Sequence, residues 1–299
     1  MSTVNKSPIP FRGIGTALIT PLRDDRPDLA AIRGLTEAQI AGGIDALIVA
    51  GTTGEAVTLL PNERAAVLEA VLEAANGRIP IIAGTGSQDT RAAVRAAIAA
   101  KEQGADAILV VTPYYNKGTA EGIVRHYESI ADAVDLPLIL YNVPSRTGVS
   151  LSLAQLTRLA EHPRIVAIKE ASGDIGRVAD ITATLEGRLA VYSGNDAELL
   201  PTLSLGGIGL ISVISNLYPA QMVALHRLFT VGRHSEAARA AARLLPMIRL
   251  LFAETNPSPI KYAMSLTGIC TDEMRLPMTP PSDALCEKIK AEMEALENA

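Results

Sequence analysis

Eight short apolar runs, each closing in a small or polar residue, recur along most of the chain: GTALIT, DALIVAG, PIIAGTG, AILVVTP, PLILYN, IVAIKE, LAVYSG and GLISV. Between them lie Ala- and Leu-rich stretches of helical period with capping residues, such as NERAAVLEAVLEAAN, TRAAVRAAIAAKEQG and LSLAQLTRLAEHP. Strand alternating with helix predicts a parallel sheet, and eight such units match the α/β architecture of a (β/α)₈ TIM barrel, whose usual size is about 250 residues. An open doubly wound sheet is the competing architecture. Against it, no G-x-G-x-x-G follows the first strand, and the closest string, GTGSQD, lacks the third glycine. Beyond residue 231 the strand signal stops, and HSEAARAAARLLPMIRLLFAE, SPIKYAMSLTG and PSDALCEKIKAEMEALEN all have helical period. The expected organisation is a barrel over residues 1–231 and a helical C-terminal extension over residues 232–299.

Composition narrows the function classes. With 48% hydrophobic and 20% charged residues in 299 positions, the chain has ample core for one large domain plus an extension. A net charge of -5 disfavours binding to nucleic acid or to an anionic membrane surface. Cys270 and Cys286 lie in no metal-ligand spacing and suit a reducing compartment. The opening MSTVNKSPIPFRGIG has no apolar signal core, and no later apolar run is long enough to span a bilayer. A cytoplasmic protein is expected.

In such a barrel the C-terminal strand ends form the active face. The residues there are Thr20, the string GTTGE, Thr85, Thr112, Tyr141, Lys169, Ser193 and Ser212. Lys169 is the exception among hydroxyls: it is the one lysine that ends an apolar strand. Lys6, Lys101, Lys117, Lys261, Lys288 and Lys290 fall in the N-terminal tail, in a loop, beside prolines or on polar helix faces. A strand-end lysine can snorkel to solvent or pair with a nearby acid, here Glu170 or Asp174. It can also be a Schiff-base nucleophile, for which an apolar site favours the neutral amine over an ordinary ammonium of pKa about 10.4. Strand alternation puts Ile165, Ala167 and Lys169 on the inner face, and Val166, Ile168 and Glu170 toward the helices.

Imine chemistry also needs a proton shuttle and a holder for an anionic substrate. YNVPSRTG supplies the Tyr141 phenol and the Arg146 guanidinium, although each could instead be a core aromatic and a solvated surface charge. GTTGE offers the Thr52 and Thr53 hydroxyls and glycine-freed N–H groups suited to a small carboxylate, or else a cap for the helix NERAAVLEA. Tyr114 and Tyr115 in TPYYNKG are catalytic candidates or interface aromatics. His126, His162, His226 and His234 show no metal-binding spacing and are expected to be surface or capping residues.

GTTGE, TPYYNK, YNVPSRTG, IVAIKEASGD, SGND, GLISV, NPSPIK and RLPMTP occur in one order. The set resembles the 4-hydroxy-tetrahydrodipicolinate synthase family, also called dihydrodipicolinate synthases, within the pyruvate-lyase superfamily. The resemblance runs from about Gly13 to about Pro280 and implies a first step of lysine (diaminopimelate) biosynthesis, in which pyruvate condenses with aspartate semialdehyde. By that resemblance Lys169 forms the imine, Thr52 and Thr53 hold the pyruvate carboxylate, and Tyr141, Thr53 and Tyr115 relay protons. Arg146 binds the semialdehyde carboxylate, and the backbone at Gly194 and Ile211 lines the site. No cofactor or metal is implied, because the covalent imine through Lys169 is itself the electron sink. The resemblance further implies a homotetramer, a dimer of dimers, with Tyr115 crossing the tight-dimer interface.

Two features depart from the pattern. Gly118 stands where many relatives have proline. At the cleft where lysine inhibits some relatives, Pro61 or Arg64 and Ala92 replace histidine and glutamate, so inhibition by lysine is expected to be weak or absent. Two other functions share the motifs: a pyruvate-forming aldolase or lyase of the N-acetylneuraminate or keto-deoxy-sugar-acid type, and a non-catalytic pyruvate-binding protein. Arg146 favours a short acceptor ending in a carboxylate over a polyhydroxylated one.

Overall fold

A computed structural model describes residues 6–297. Its strands are β1 (Gly13–Ala17), β2 (Leu22–Arg23), β3 (Arg26–Pro27), β4 (Ala46–Val49), β5 (Ile81–Gly84), β6 (Ala107–Val111), β7 (Leu138–Asn142), β8 (Ile165–Glu170), β9 (Ala190–Ser193) and β10 (Gly209–Ser212). Eight of them form a closed parallel barrel in the order β1-β10-β9-β8-β7-β6-β5-β4, while β2 and β3 make a separate antiparallel pair. The fold is therefore the expected TIM barrel with a helical extension.

The chain parts into two compact units. The first comprises Pro80–Ile211 with the segment ending at Arg12, and the second Gly13–Ile79 with the chain from Ser212 onward. In the first unit, β5 to β10 are near-continuous runs of buried Ile, Val, Leu and Ala, as strands covered on both faces require. The register sets Tyr141 beside Lys169 and Lys169 beside Tyr192. It slips by one residue between Leu138 and Ile139, so the alternation that puts Ala167 and Lys169 on one face holds from Ala167 onward.

In the second unit β1 starts two residues earlier than GTALIT suggests. The Ile14 N–H is bonded to the Asp45 carboxylate at the start of the strand. At its end, Asn216 takes over from the sheet: its Oδ1 accepts from Ile19 N–H and its Nδ2 donates to the Ala17 carbonyl. Leu18, Ile19 and Thr20 therefore lie past the strand, although all are buried. The extension consists of helices His234–Leu251, Ser258–Leu266 and Asp283–Glu297, and it belongs to the same compact unit as Gly13–Ile79.

Among the described residues no helix is long and apolar enough to cross a membrane. Both cysteines are free, and burial pushes the Cys270 thiol up to about 11, which keeps it protonated and unreactive at neutral pH.

Candidate active site

Lys169 is the penultimate residue of β8, a strand whose six residues are all buried. Its amine lies over the Tyr141 ring, 4.4 Å from the centroid. No carboxylate is ion-paired to it among the described residues. The two acids that could have neutralised it are otherwise engaged. Glu170 accepts from Arg177 Nε at 2.8 Å, from Asn142 Nδ2 at 3.0 Å and from Ser172 N–H at 2.8 Å. Asp174 caps the helix Ile175–Thr184 by accepting from Arg177 N–H. Neither the surface-lysine reading nor the pairing reading survives: Lys169 is 5% exposed and stands against an aromatic face.

The surroundings of Lys169 are built to leave room. A Cβ on Gly194 would come within 3.0 Å of Lys169 Cε and 2.6 Å of Ala171 Cβ, so only glycine fits. Gly194 N–H is bonded to the Glu170 carbonyl at 2.7 Å, which fixes that close approach. Ile211 is fully buried on β10, next to β9. Behind Tyr141, Thr112 Oγ1 donates to the Tyr141 carbonyl at 3.0 Å and accepts from the buried Tyr127 phenol at 3.2 Å. These two hydroxyls steady the strand end that carries the phenol, and Tyr127 is a support the sequence reading missed.

Two loops of this unit carry the other candidates. Arg146 sits exposed on the one-turn helix Pro144–Thr147 that follows β7. Tyr115 lies in the loop after β6 with a left-handed backbone (φ 70°) and is 90% exposed. Lys117, two residues on, packs so closely on Gly148 that an added Cβ would meet its Cε at 2.9 Å, which ties the two loops together.

The second unit holds Thr52, half-buried, and Thr53, buried. GTTGE does not cap the helix Pro61–Ala75, contrary to that reading: the Leu60 N–H at its start is bonded by the Glu63 carboxylate. It is instead a tight turn. Gly54 packs where a Cβ would touch the Leu18 carbonyl at 3.0 Å, and Thr20 Oγ1 donates to the Gly54 carbonyl at 2.8 Å. Thr53 Oγ1 accepts from Asn256 Nδ2 at 3.1 Å, and Glu55 meets Lys261 at 2.5 Å with both side chains buried. The prolines beside Lys261 in the sequence give no sign of this burial. The signal that could have found it is periodicity: in SPIKYAM the lysine falls with Ile260, Ala263 and Met264 on the buried side of its helix.

The histidine expectation needs a correction at one position. His126 is buried, not on the surface, with Nδ1 at 2.9 Å from Thr90 Oγ1, and burial pushes its pKa down to about 4. His162 fits the expectation, bonding Asp132 and the Arg164 N–H at a helix end. Among the described residues no group of three or more His, Cys, Asp or Glu is placed to hold a metal ion.

Comparison with known proteins gives this arrangement a family. The model of the dihydrodipicolinate synthetase family matches residues 10–296. The 4-hydroxy-tetrahydrodipicolinate synthase of Geotalea daltonii is 45% identical over 284 residues, covering 95% of this chain and 98% of that protein. That of Clostridium novyi is 42% identical over 289 residues, covering 97% and 95%. Among solved structures, a chloride-inhibited dihydrodipicolinate synthase from Acinetobacter baumannii, complexed with pyruvate, matches with a TM-score of 0.93 at 42% identity, covering 96% of this chain and 99% of that one. With a buried lysine, a facing tyrosine and near-complete coverage, the chain belongs to the dihydrodipicolinate synthetase family.

Proposed function

We propose that this chain catalyses the 4-hydroxy-tetrahydrodipicolinate synthase reaction, condensing pyruvate with L-aspartate 4-semialdehyde, with Lys169 as the amine that captures pyruvate. The family and the relatives named above support the activity, that of a lyase. The observation that carries the residue assignment is the Lys169 amine, buried, without an acidic partner among the described residues and set over the Tyr141 ring.

The steps follow from the chemistry of an iminium. Lys169 adds to the pyruvate ketone, and loss of water leaves a protonated imine. That cation draws electrons from the adjacent methyl group, whose proton passes to the Tyr141, Thr53 and Tyr115 relay. The resulting enamine carbon attacks the aldehyde carbon of the second substrate. The acceptor's own amino group then displaces Lys169 from the imine carbon, closing the ring and freeing the enzyme. Thr52 and Thr53 hold the pyruvate carboxylate, Arg146 holds that of the semialdehyde, and the backbone at Gly194 and Ile211 lines the imine. The covalent imine does the work that a metal or cofactor does in other aldolases.

Tyr115 is the proposed contact to a second copy. Its exposure in one chain suits a phenol that completes a neighbour's relay within a tight dimer, two of which make the tetramer. The cytoplasm is the matching compartment for a chain with free cysteines.

Borohydride added with pyruvate should leave a covalent mass at Lys169, and Lys169→Ala should abolish it. Absence of any adduct would remove the imine mechanism. Turnover of pyruvate with aspartate semialdehyde, measured against cleavage of sialic acid or a keto-deoxy sugar acid, separates the proposed reaction from its superfamily rivals. Sedimentation velocity tests the tetramer.

A further inference from the structure

The motif NPSPIK, residues 256–261, has no role in the chemistry above, yet it holds the turn that carries Thr53. Asn256 is buried, and its Nδ2 donates to Thr53 Oγ1 at 3.1 Å. Five residues on, Lys261 is fully buried with its amine 2.5 Å from Glu55 Oε1 and 2.5 Å from the Glu273 carbonyl. Two points of the turn, two residues apart, are thus fastened by two points of the C-terminal extension.

The turn needs such fastening. Ala50, just before it, and Glu55, its last residue, both adopt left-handed backbone, with φ of 54° and 53°. That conformation is unfavourable for residues with a Cβ and persists only where the surroundings impose it. The buried Glu55 charge would also be costly if Lys261 did not meet it.

The bond to Thr53 has a direction. A hydroxyl has one proton and two acceptor sites. With one acceptor site of Thr53 Oγ1 filled by the Asn256 amide, the proton is left to point elsewhere and Thr53 becomes a donor. We propose that Asn256 is a positioning residue that fixes the Thr53 hydroxyl as a hydrogen-bond donor to the carboxylate of the keto acid, while Lys261 and Glu55 hold the turn in place. The inference rests on Thr53 binding that carboxylate. It makes the extension part of the binding machinery of the barrel.

The test is a double-mutant cycle in the full-length chain, read as the pyruvate concentration that gives half-maximal borohydride trapping at Lys169. Asn256→Leu should raise it about tenfold, the size expected for losing the orientation of one bond to a charged group. Thr53→Val should raise it as well. In the Thr53→Val background, Asn256→Leu should add less than about twofold, because the hydroxyl through which it acts is gone. Should Asn256→Leu fail to fold, Asn256→Ala takes its place in the cycle. Multiplying effects in the double variant would overturn the positioning role and reduce Asn256 to a packing residue. No effect of Thr53→Val alone would overturn the reading of Thr53 itself, and the inference with it.

Discussion

The Lys169 amine faces the Tyr141 ring at 4.4 Å because neighbouring strands β7 and β8 set the two residues side by side in register. The ring offers a cation a negative face, and the phenol at its rim offers a proton. Tyr141→Phe separates these. The variant should still give the trapped pyruvate adduct, while turnover with the semialdehyde falls by about 10²- to 10⁴-fold, the usual contribution of a positioned acid or base. Mass spectrometry of the adduct beside steady-state rates checks this.

Arg146 is assigned to the second substrate alone. Arg146→Ala should raise the KM for aspartate semialdehyde by about 10- to 100-fold, the range for losing a hydrogen-bonded charge, and leave pyruvate trapping unchanged. Equal losses for both substrates would contradict the assignment.

Removing one half of the Lys261–Glu55 pair strands the other. Lys261→Met should destabilise the fold by about 3–5 kcal/mol, since an unpaired carboxylate stays buried. Adding Glu55→Gln should restore much of the loss. Denaturant unfolding of the two variants measures the difference.

His126 gives the stability a pH dependence. Burial lowers its folded pKa from 6.5 to about 4, so the unfolded chain takes up the proton first as pH falls. Its contribution is complete above pH about 6.5, shrinks on acidification and levels off below about 4. His126→Gln should flatten that part of the profile, measured as urea midpoints between these limits.

Lysine should inhibit weakly or not at all. Ala92 presents no carboxylate to an effector's ammonium, and Arg64 brings a like charge. Strong inhibition by submillimolar L-lysine in a steady-state assay would overturn this.

What could be read from the sequence was local. Lys169 and Tyr141 each stand one residue from the end of a buried strand, and strand alternation was enough to send Glu170 to the helix side, where Arg177 and Asn142 hold it. The eight apolar runs announced the barrel. What escaped was set by partners far along the chain. The end of β1 depends on Asn216, 197 residues beyond Ile19, and the burial of Lys261 depends on Glu55, 206 residues before it. No window of sequence contains both members of such a pair. His126 was misplaced for a related reason: its helix buries one face, and a lone histidine on that face looks the same as one on the opposite side.

The bond between Asn256 and Thr53 spans 203 residues. During synthesis the GTTGE turn leaves the ribosome long before the residues that hold it exist. Until then the strained backbone at Ala50 and Glu55 has the Thr20 and Leu18 contacts but lacks the Asn256 and Lys261 anchors. All eight barrel strands, the last ending at Ser212, precede Asn256 and Lys261 in the chain. The two outer anchors of the turn therefore arrive only with the helical extension, after the last barrel strand has been made.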